Sequence, residues 1–343
     1  RAQPRSRGLG DVYKRQDWET GASKPVSTSW RATHPRALFG PNQHEHGSYR
    51  TIRMNGREFL ISASRRVVIS ERKGDRYQPL AAVGSVGDYV HRAQYQVPNL
   101  IYRTAPRVHV PLMSEKMAPP EILEKIKDPE RWEWRPEYKT NYYWADRNGD
   151  GLVQDDEISF FEFTPGDLGA VGWEFFFSSP VDEDLTIYPY TLVGTREYVW
   201  RCPVTGWTEC GAPLYEPTQA EQVVNRALKH VRYQTSAAAW IFSGGRILST
   251  DAPMAMFDRN GETLWTYPND FLSHGGWQAP AARPGLMVGV LYTLGQAALG
   301  GDVGTVFALR GNTGQDYLFT ADGLYVASLF TDSRTGPDPY PSR

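Results

Sequence analysis

Residues 146–157 read DRNGDGLVQDDE, and our interpretation of the chain begins from this stretch. Calcium takes six to eight hard oxygen ligands, which a twelve-residue loop supplies from positions 1, 3, 5, 7, 9 and 12, with glycine at position 6 for a sharp turn. Gly151 occupies position 6, where a positive φ favours glycine. The predicted ligands are Asp146, Asn148, Asp150, the carbonyl oxygen of Leu152, Gln154 (directly or through a water) and Glu157.

The pattern resembles the calcium loop of the EF-hand family over residues 146–158. The resemblance implies Ca²⁺ coordination, with Val153 and Ile158 as apolar anchors of the loop. The alternative is an acidic, glycine-rich surface turn that binds nothing. The agreement of six ligand positions with the glycine favours the calcium site.

The sequences that flank the loop predict β-strands rather than the helices of a true EF-hand. Residues 141–144 read NYYW and residues 159–163 read SFFEF, and such aromatic-rich runs favour strands. At most one helical turn is expected, around residues 155–157. The loop is therefore predicted to act as a structural staple, because no helix pair is available to open as in a calcium sensor.

Residues 1–16 are treated separately from the rest of the chain. The hexapeptide DVYKRQ at residues 11–16 resembles the translated end of a transposon adapter used in preparing sequencing libraries. We therefore predict that residues 1–16 are not native, the alternative being a genuine basic N-terminal arm. The native N-terminus would then be missing, and with it any signal peptide.

The charge of the chain argues against nucleic acid as a partner. Residues 1–16 contain five basic side chains and one acidic side chain, so the remainder has a formal net charge of −6, compared with −2 for the whole chain. Nucleic-acid recognition requires a positive face. The most apolar run, residues 286–299, contains two glycines and a glutamine and is too short to span a bilayer.

The two cysteines leave two alternatives open. Cys202 and Cys210 are separated by a stretch that contains Pro203 and Gly206, so a turn could bring them together as a disulfide, which would fit an exported protein. Two free thiols are the other alternative. We predict an extracellular or periplasmic location.

Along the chain, residues 17–48 are polar, rich in turn residues and predicted to be irregular, with the histidines of HEH at 44–46 in a surface loop. From residue 49 short apolar runs alternate with turns, and Asn55-Gly56 is a strong signal for a type I′ hairpin. Helices are predicted at residues 118–131 and 219–230. The first belongs to an insertion, residues 118–165, that carries the calcium loop.

The last hundred residues repeat a strand and turn pattern. Residues 238–267 and 304–330 each contain several short strands joined by glycine turns, and a repeat of about 45 to 60 residues is typical of β-propeller blades. Residues 256–265, MFDRNGETLW, resemble the blade motif of bacterial quinoprotein-like propellers, and residues 323–326, GLYV, resemble strands of NHL-like bacterial propellers. The motif implies that Trp265 packs between blades.

The predicted fold is all-β: a propeller of about six to eight blades, which this chain need not contain in full, with short helical insertions and the calcium loop between strands. It occupies residues 49–335, and residues 336–343 form a proline-rich tail or linker.

Two function classes remain open. The first is a calcium-stabilised, exported propeller that binds a carbohydrate or protein ligand. The second is a propeller enzyme, a quinone-type oxidoreductase or a polysaccharide-cleaving hydrolase or lyase, with its site in the central channel. His274 and the acidic run at residues 182–184 are its weak candidates, a loop histidine and a solvated turn being the simpler interpretations. No catalytic motif identifies an enzyme, and we favour the binding module.

Overall fold

The computed structural model describes residues 12–16, 20, 23–29, 48–63, 66–85, 140–151, 154, 156–169, 171–173, 175, 179–229, 239–242, 244–271, 280, 284–289, 292–311, 313–330 and 332–333. The chain divides into two compact units, one of residues 1–173 and 203–219 and one of residues 174–202 and 220–343. Each unit is described by itself.

The structure is all-β within the described residues, which confirms the predicted fold class at that level. The strands are β1 Val12–Gln16, β2 Ser23–Ser29, β3 Ser48–Met54, β4 Arg57–Ala63, β5 Arg66–Lys73, β6 Arg76–Ser85, β7 Thr140–Ala145, β8 Ile158–Glu162, β9 Tyr190–Val193, β10 Arg196–Arg201, β11 Val204–Trp207, β12 Pro213–Tyr215, β13 Glu221–Ala227, β14 Ala239–Phe242, β15 Arg246–Ser249, β16 Met254–Phe257, β17 Thr263–Tyr267, β18 Tyr292–Gly300, β19 Gly304–Arg310, β20 Asp316–Thr320 and β21 Tyr325–Leu329. Single 3₁₀ turns occur at Gly166–Leu168, Pro217–Gln219 and Gly301–Val303. No helix in this part of the chain is long and apolar enough to cross a membrane.

The first unit contains an eight-stranded sheet. Strands β3 to β6 form an antiparallel meander, β2 pairs with β6 in parallel, and β7 pairs with the C-terminal half of β6 and with β8. The β3–β4 turn has positive φ at both Asn55 (51°) and Gly56 (74°), as a type I′ turn requires, so the predicted hairpin is confirmed. A separate hairpin of β11 and β12 completes the unit.

The second unit stacks three antiparallel sheets, in the orders β13-β10-β9, β14-β15-β16-β17 and β18-β19-β20-β21. All four residues of β16, an internal strand of the middle sheet, are buried. Met254 and Met256 pack in a cluster with Phe307 of the third sheet. Ala255 and Phe257 pack on the other side with side chains of the first sheet. Because successive side chains of a strand point to opposite faces, this continuous apolar run supplies both interfaces.

Trp265 lies at the contact between the second and third sheets. Its ring stacks on Phe307 with centroids 6.3 Å apart, and its Nε1 donates to the carbonyl oxygen of Ala321 at 2.9 Å. An aromatic pair of this kind contributes about 0.5–1.5 kcal/mol beyond the burial of its area. Trp265 is therefore a packing residue.

The structure differs from two sequence predictions. The helix predicted at residues 219–230 is wrong, since Glu221–Ala227 forms strand β13. Val224 is buried opposite Val199 of β10, and valine suits a pleated strand better than a helix, so pairing overrides the helical spacing. Strand β2 lies in the range 17–48 that the sequence predicts as irregular. The helix predicted at residues 118–131 lies outside the described residues.

A buried ionic network joins two sheets of the second unit. Glu197 of β10 is completely buried and pairs with Arg226, its cross-strand neighbour on β13. Ser249 of the middle sheet donates to Glu197 Oε2 at 2.7 Å and accepts from Arg226 at 3.0 Å. Arg226 also donates to the carbonyl oxygen of Pro253 at 2.7 Å. Burial raises the pKa of Glu197, and the negative charge of Asp251 raises it further.

Gly261, in the turn between β16 and β17, lies where the middle sheet closely approaches β13 of the first sheet, and a substitution there tests this approach. Its φ is +88°, and a Cβ atom there would lie 1.5 Å from the carbonyl oxygen of Val223 on β13. Gly244 has a similar φ of +82° with nothing within 4 Å, so it is a matched control. We expect Gly244→Ala to lower the free energy of unfolding by about 1–2 kcal/mol through backbone strain, and Gly261→Ala by about 1–3 kcal/mol more through the clash. Urea denaturation measures both, and equal losses would contradict the close approach.

Glu197 predicts a specific pH dependence. Because its pKa is higher in the folded than in the unfolded protein, its contribution to stability is fully present below the ordinary glutamate value of 4.5 and is lost as the pH rises through the folded-state pKa. Glu197→Gln removes this titration. We therefore expect the wild type to gain stability relative to this variant as the pH falls, measured by urea denaturation across the pH range.

The control is Glu221→Gln. Glu221 lies on the same strand pair and bonds Arg201, but its side chain is 64% exposed. The stability difference between wild type and this control should change little with pH. A pH-independent difference between wild type and Glu197→Gln would contradict the assignment.

Candidate calcium site

The loop at residues 146–157 connects two paired strands. Strands β7 and β8 run antiparallel from Thr140 opposite Glu162 to Trp144 opposite Ile158. The backbone N–H of Ala145 donates to the carbonyl oxygen of Glu157 at 3.2 Å and closes the base of the loop. The prediction that strands flank the loop is confirmed.

Asp146, at position 1 of the loop, points inward and is completely buried. Its Oδ1 accepts the N–H of Gly149 at 2.7 Å, and its Oδ2 accepts the N–H of Gly151 at 3.0 Å. Both glycines have positive φ, 83° and 70°, which turns their amides toward the carboxylate. The N–H of Asp146 donates to Leu80 of β6 at 2.7 Å, so the residue is fixed from the sheet side as well.

Glu157, at position 12, is also buried, with 6% of its surface exposed. Its Oε1 accepts the N–H of Arg147 at 2.7 Å. Its Oε2 accepts from Trp144 Nε1 at 3.1 Å and from the N–H of Gln154 at 3.3 Å. Within the described residues neither Glu157 nor Asp146 forms a salt bridge, so the loop holds two buried carboxylates that have no ion-pair partner.

The middle of the loop brings three predicted ligands together. Asp150 Oδ2 accepts from the amide nitrogens of Gln154 at 2.7 Å and of Asn148 at 3.2 Å. Asn148 Oδ1 accepts the N–H of Asp150 at 2.9 Å. Gln154 Oε1 is buried and has no hydrogen-bond partner among the described residues. Leu152, the sixth predicted ligand, lies outside the described residues, so its carbonyl oxygen stays a prediction.

The donor set suits a hard cation. Carboxylate and amide oxygens are the ligands that calcium prefers, and an unbonded buried oxygen at position 9 is a group that a cation would satisfy. In the part of the chain described, no three His, Cys, Asp or Glu side chains cluster closely enough to hold a metal by themselves. Here Asp150 is turned toward amide groups, whereas Asp146 and Glu157 bind backbone amides. Coordination would therefore exchange some of these hydrogen bonds for metal contacts.

The hairpin of β11 and β12 holds the loop from the other side. The carbonyl oxygen of Asp146 accepts from Thr208 Oγ1 at 3.1 Å and from Cys210 Sγ at 3.2 Å. The carbonyl oxygen of Gly149 accepts from Gln78 Nε2 of β6 at 2.6 Å. Thr208 and Cys210 are not predicted by the sequence, because no local pattern relates residues more than sixty positions apart.

The structure distinguishes between the disulfide and the two thiols that the sequence leaves open for Cys202 and Cys210. Neither forms a disulfide; Cys202 is buried and Cys210 is half-buried. The disulfide interpretation is therefore wrong, and Cys210 instead donates its S–H to the carbonyl oxygen of Asp146 in the loop of residues 146–157. The thiol is a weak donor, so this contact positions the loop without covalent constraint.

The other candidate residues are the acidic run at residues 182–184, His274 and the histidines of residues 44–46. In the acidic run, Asp182 Oδ1 accepts the N–H of Glu183 at 2.8 Å and Asp184 Oδ1 accepts the N–H of Thr186 at 2.9 Å, which confirms a turn. His274 and the histidines of residues 44–46 lie outside the described residues.

The sequence matches no protein-family model, and no curated protein matches it. The similarity to EF-hand loops and to bacterial propellers therefore stays a prediction. The candidate site depends on its own donor groups and their burial.

Glu157 should stabilise the loop even without metal. Glu157→Gln replaces one carboxylate oxygen by an NH₂ group that faces donors, so we expect the free energy of unfolding in a calcium chelator to fall by about 1–3 kcal/mol. Glu162→Gln, on the exposed end of β8, is the control and should change it by less than about 0.5 kcal/mol. Equal effects in urea denaturation would show that the buried hydrogen bonds contribute nothing.

Proposed function

We propose that this protein is a calcium-stabilised, exported β-propeller module that binds a carbohydrate or protein ligand. The observation that carries the proposal is the loop of residues 146–157, where Asp146 and Glu157 are buried without a cationic partner in the described structure. Burying a charge is costly unless it is paired, and a divalent cation would pair both.

In the proposed site Asp146, Asn148, Asp150, Gln154 and Glu157 hold the ion with side-chain oxygens, together with the carbonyl oxygen of Leu152. Bound calcium supplies positive charge that offsets the repulsion among the three carboxylates. The strands fix both ends of the loop, so the residues serve stability rather than a conformational switch.

The propeller is the arrangement that best explains the second unit. Sheets β14–β17 and β18–β21 are four-stranded antiparallel meanders of consecutive strands, as blades are. The sheet β14–β17 packs on the preceding sheet of β9, β10 and β13 through the cluster around Ile247. It packs on the following sheet β18–β21 through the cluster around Phe307. We propose that the full ring has about six to eight such blades.

An extracellular or periplasmic location suits a site of this type. Extracellular calcium modules bind calcium with dissociation constants of about 10⁻⁴–10⁻³ M. We place this loop in that range, because a bound ion would have to displace hydrogen bonds that the carboxylates already make. Free thiols neither require nor oppose export.

The enzyme alternative has no observation in its favour. The cluster of Glu197, Ser249 and Arg226 is the arrangement that most resembles a catalytic site. Glu197 has no exposed surface, so a substrate could not reach its carboxylate. Its hydrogen bonds join two sheets. We therefore propose the binding module alone.

Calcium titration tests the proposal. We expect isothermal calorimetry to show one site, and calcium at a hundred times its dissociation constant to raise the free energy of unfolding by about 2.7 kcal/mol. Asp146→Asn should abolish both effects. Asp156→Asn removes an exposed carboxylate at position 11, which is not a ligand position, and should retain both.

Magnesium provides a second comparison. Magnesium demands near-octahedral geometry and gives up its waters reluctantly, so it should bind this loop more weakly than calcium.

Two results of the calcium titration would overturn the proposed function. One is the absence of a calcium effect on the unfolding midpoint of the wild type. The other is an equal loss of calcium binding in Asp146→Asn and Asp156→Asn.

A further inference from the structure

We propose that Trp207 and the side chains around it form a saccharide-binding platform that the calcium loop holds in place. This inference rests on the proposed function and names the ligand class of the binding module. It concerns the first unit only. The platform is defined as Thr205, Trp207, Arg57, Glu71 and Lys73.

Trp207 is exposed where tryptophan is usually enclosed. It ends strand β11, where exposure alternates, so that Thr205 and Trp207 share the outer face. The Trp207 side chain is 41% exposed, and it is the one tryptophan in the described part of the chain among the exposed large apolar residues. An exposed tryptophan beside polar groups presents an apolar ring with hydrogen-bonding neighbours, which is typical of binding surfaces.

The guanidinium group of Arg57 packs over the Trp207 ring. The guanidinium carbon of Arg57 lies 5.2 Å from the Trp207 ring centroid and 4.7 Å from that of Phe59, so the cation sits against both rings. Arg57 Nε donates to Glu71 at 2.6 Å, and its second terminal nitrogen donates to the carbonyl oxygen of Gly211 at 2.6 Å. A ring fixed before binding loses little conformational freedom on binding.

The chemistry around the ring suits a sugar better than an apolar surface. Lys73 is half exposed and pairs with the buried Glu71 at 2.5 Å. Thr205 is exposed like Trp207, and its hydroxyl donates to the carbonyl oxygen of Leu214 at 3.2 Å, which leaves the oxygen free to accept from a ligand. A pyranose presents an apolar face of C–H groups, which stacks on an indole, and a rim of hydroxyls, which bond charged and hydroxyl side chains. The Trp207 ring would stack on the C–H face of a pyranose, and the polar side chains near it would bond the hydroxyl groups.

The contrast with the third sheet of the second unit supports this choice. There Leu294, Val326 and Leu329 are exposed together with apolar residues of the adjoining turns. A broad apolar face of this kind suits another packed sheet or a protein. The Trp207 platform instead has a single ring, and its other members are polar.

The calcium loop is connected directly to the platform. Thr208 and Cys210, in the turn that follows Trp207, donate to the carbonyl oxygen of Asp146. The Cβ of Cys210 also lies 3.3 Å from where a Cβ would stand on Gly149, so the turn and the loop are packed together. Ordering of the loop by calcium therefore holds the turn and the ring, and saccharide affinity should depend on calcium.

The test uses the full chain with cellohexaose, maltohexaose and a hexamer of galacturonic acid as probes. Binding is measured by calorimetry and by quenching of tryptophan fluorescence, in calcium and in chelator. We expect at least one hexasaccharide to bind in calcium, with at least tenfold weaker binding in chelator. Trp207→Ala should lose at least tenfold in affinity while retaining the calcium binding heat.

Two further variants separate positioning from contact. Thr208→Val keeps the ring but loses the bond to Asp146, so its saccharide binding should weaken in calcium. Leu264→Ala truncates a half-exposed apolar side chain of the second unit and should leave saccharide affinity unchanged. Circular dichroism verifies that each variant is folded.

The outcomes distinguish this inference from the proposed function. Calcium binding without binding of any of the three saccharides would overturn the platform and leave the calcium site standing. Saccharide binding that Trp207→Ala retains would also overturn it. Saccharide binding that depends on Trp207 but is equal in calcium and in chelator would overturn the coupling between loop and platform. Absence of calcium binding in the wild type would overturn the proposed function itself.

Discussion

The satisfaction of two buried carboxylates governs the structure around residues 146–157. A buried carboxylate needs hydrogen bonds or a counter-charge. Asp146 obtains its donors from the amides of Gly149 and Gly151, and Glu157 obtains its own from Trp144 and two backbone amides. These bonds determine the path of the loop. Because the loop path is fixed, its carbonyl groups are available at set positions to the hairpin that carries Thr208 and to the side chain of Gln78.

The second unit depends on a different constraint, the burial of apolar side chains on both faces of one sheet. Strand β16 has no polar face, so an isolated sheet with this strand would expose one apolar surface to water. A sheet on each side removes both surfaces. Glu197 and Arg226 form a charge pair within the first sheet, and their hydrogen bonds to Ser249 and to the carbonyl oxygen of Pro253 reach across to the middle sheet. Because desolvation offsets much of the attraction in a buried charge pair, its net contribution to stability is small.

Local sequence signals predicted the local features and missed the distant ones. The strands that flank residues 146–157 and the Asn55-Gly56 turn follow from residues adjacent in sequence, where spacing determines geometry, while calcium binding by the loop stays a prediction. Residues 219–230 were misjudged because valines at 223 and 224 fit a helical spacing as well as a strand, and only pairing with β10 distinguishes the two. The roles of Cys210 and Arg57 could not be predicted, because each arises from contacts between segments far apart in the chain.

The hydrogen bonds that preform the loop also limit how strongly it would hold a metal. In the proposed calcium site, every oxygen of Glu157 that turns to the ion releases an N–H group that is otherwise bonded. Breaking these hydrogen bonds would offset part of the free energy of metal binding. The affinity for calcium would then be modest, and the site would fill only where the calcium concentration is high. Since Trp144 pairs with Ile158 at the base of the loop, the flanking strands need not move in this exchange. Calcium in this site would stabilise a loop whose hydrogen bonds already exist, and the β11–β12 hairpin, which bonds Asp146 through Thr208 and Cys210, is the neighbouring element that this stabilisation would reach.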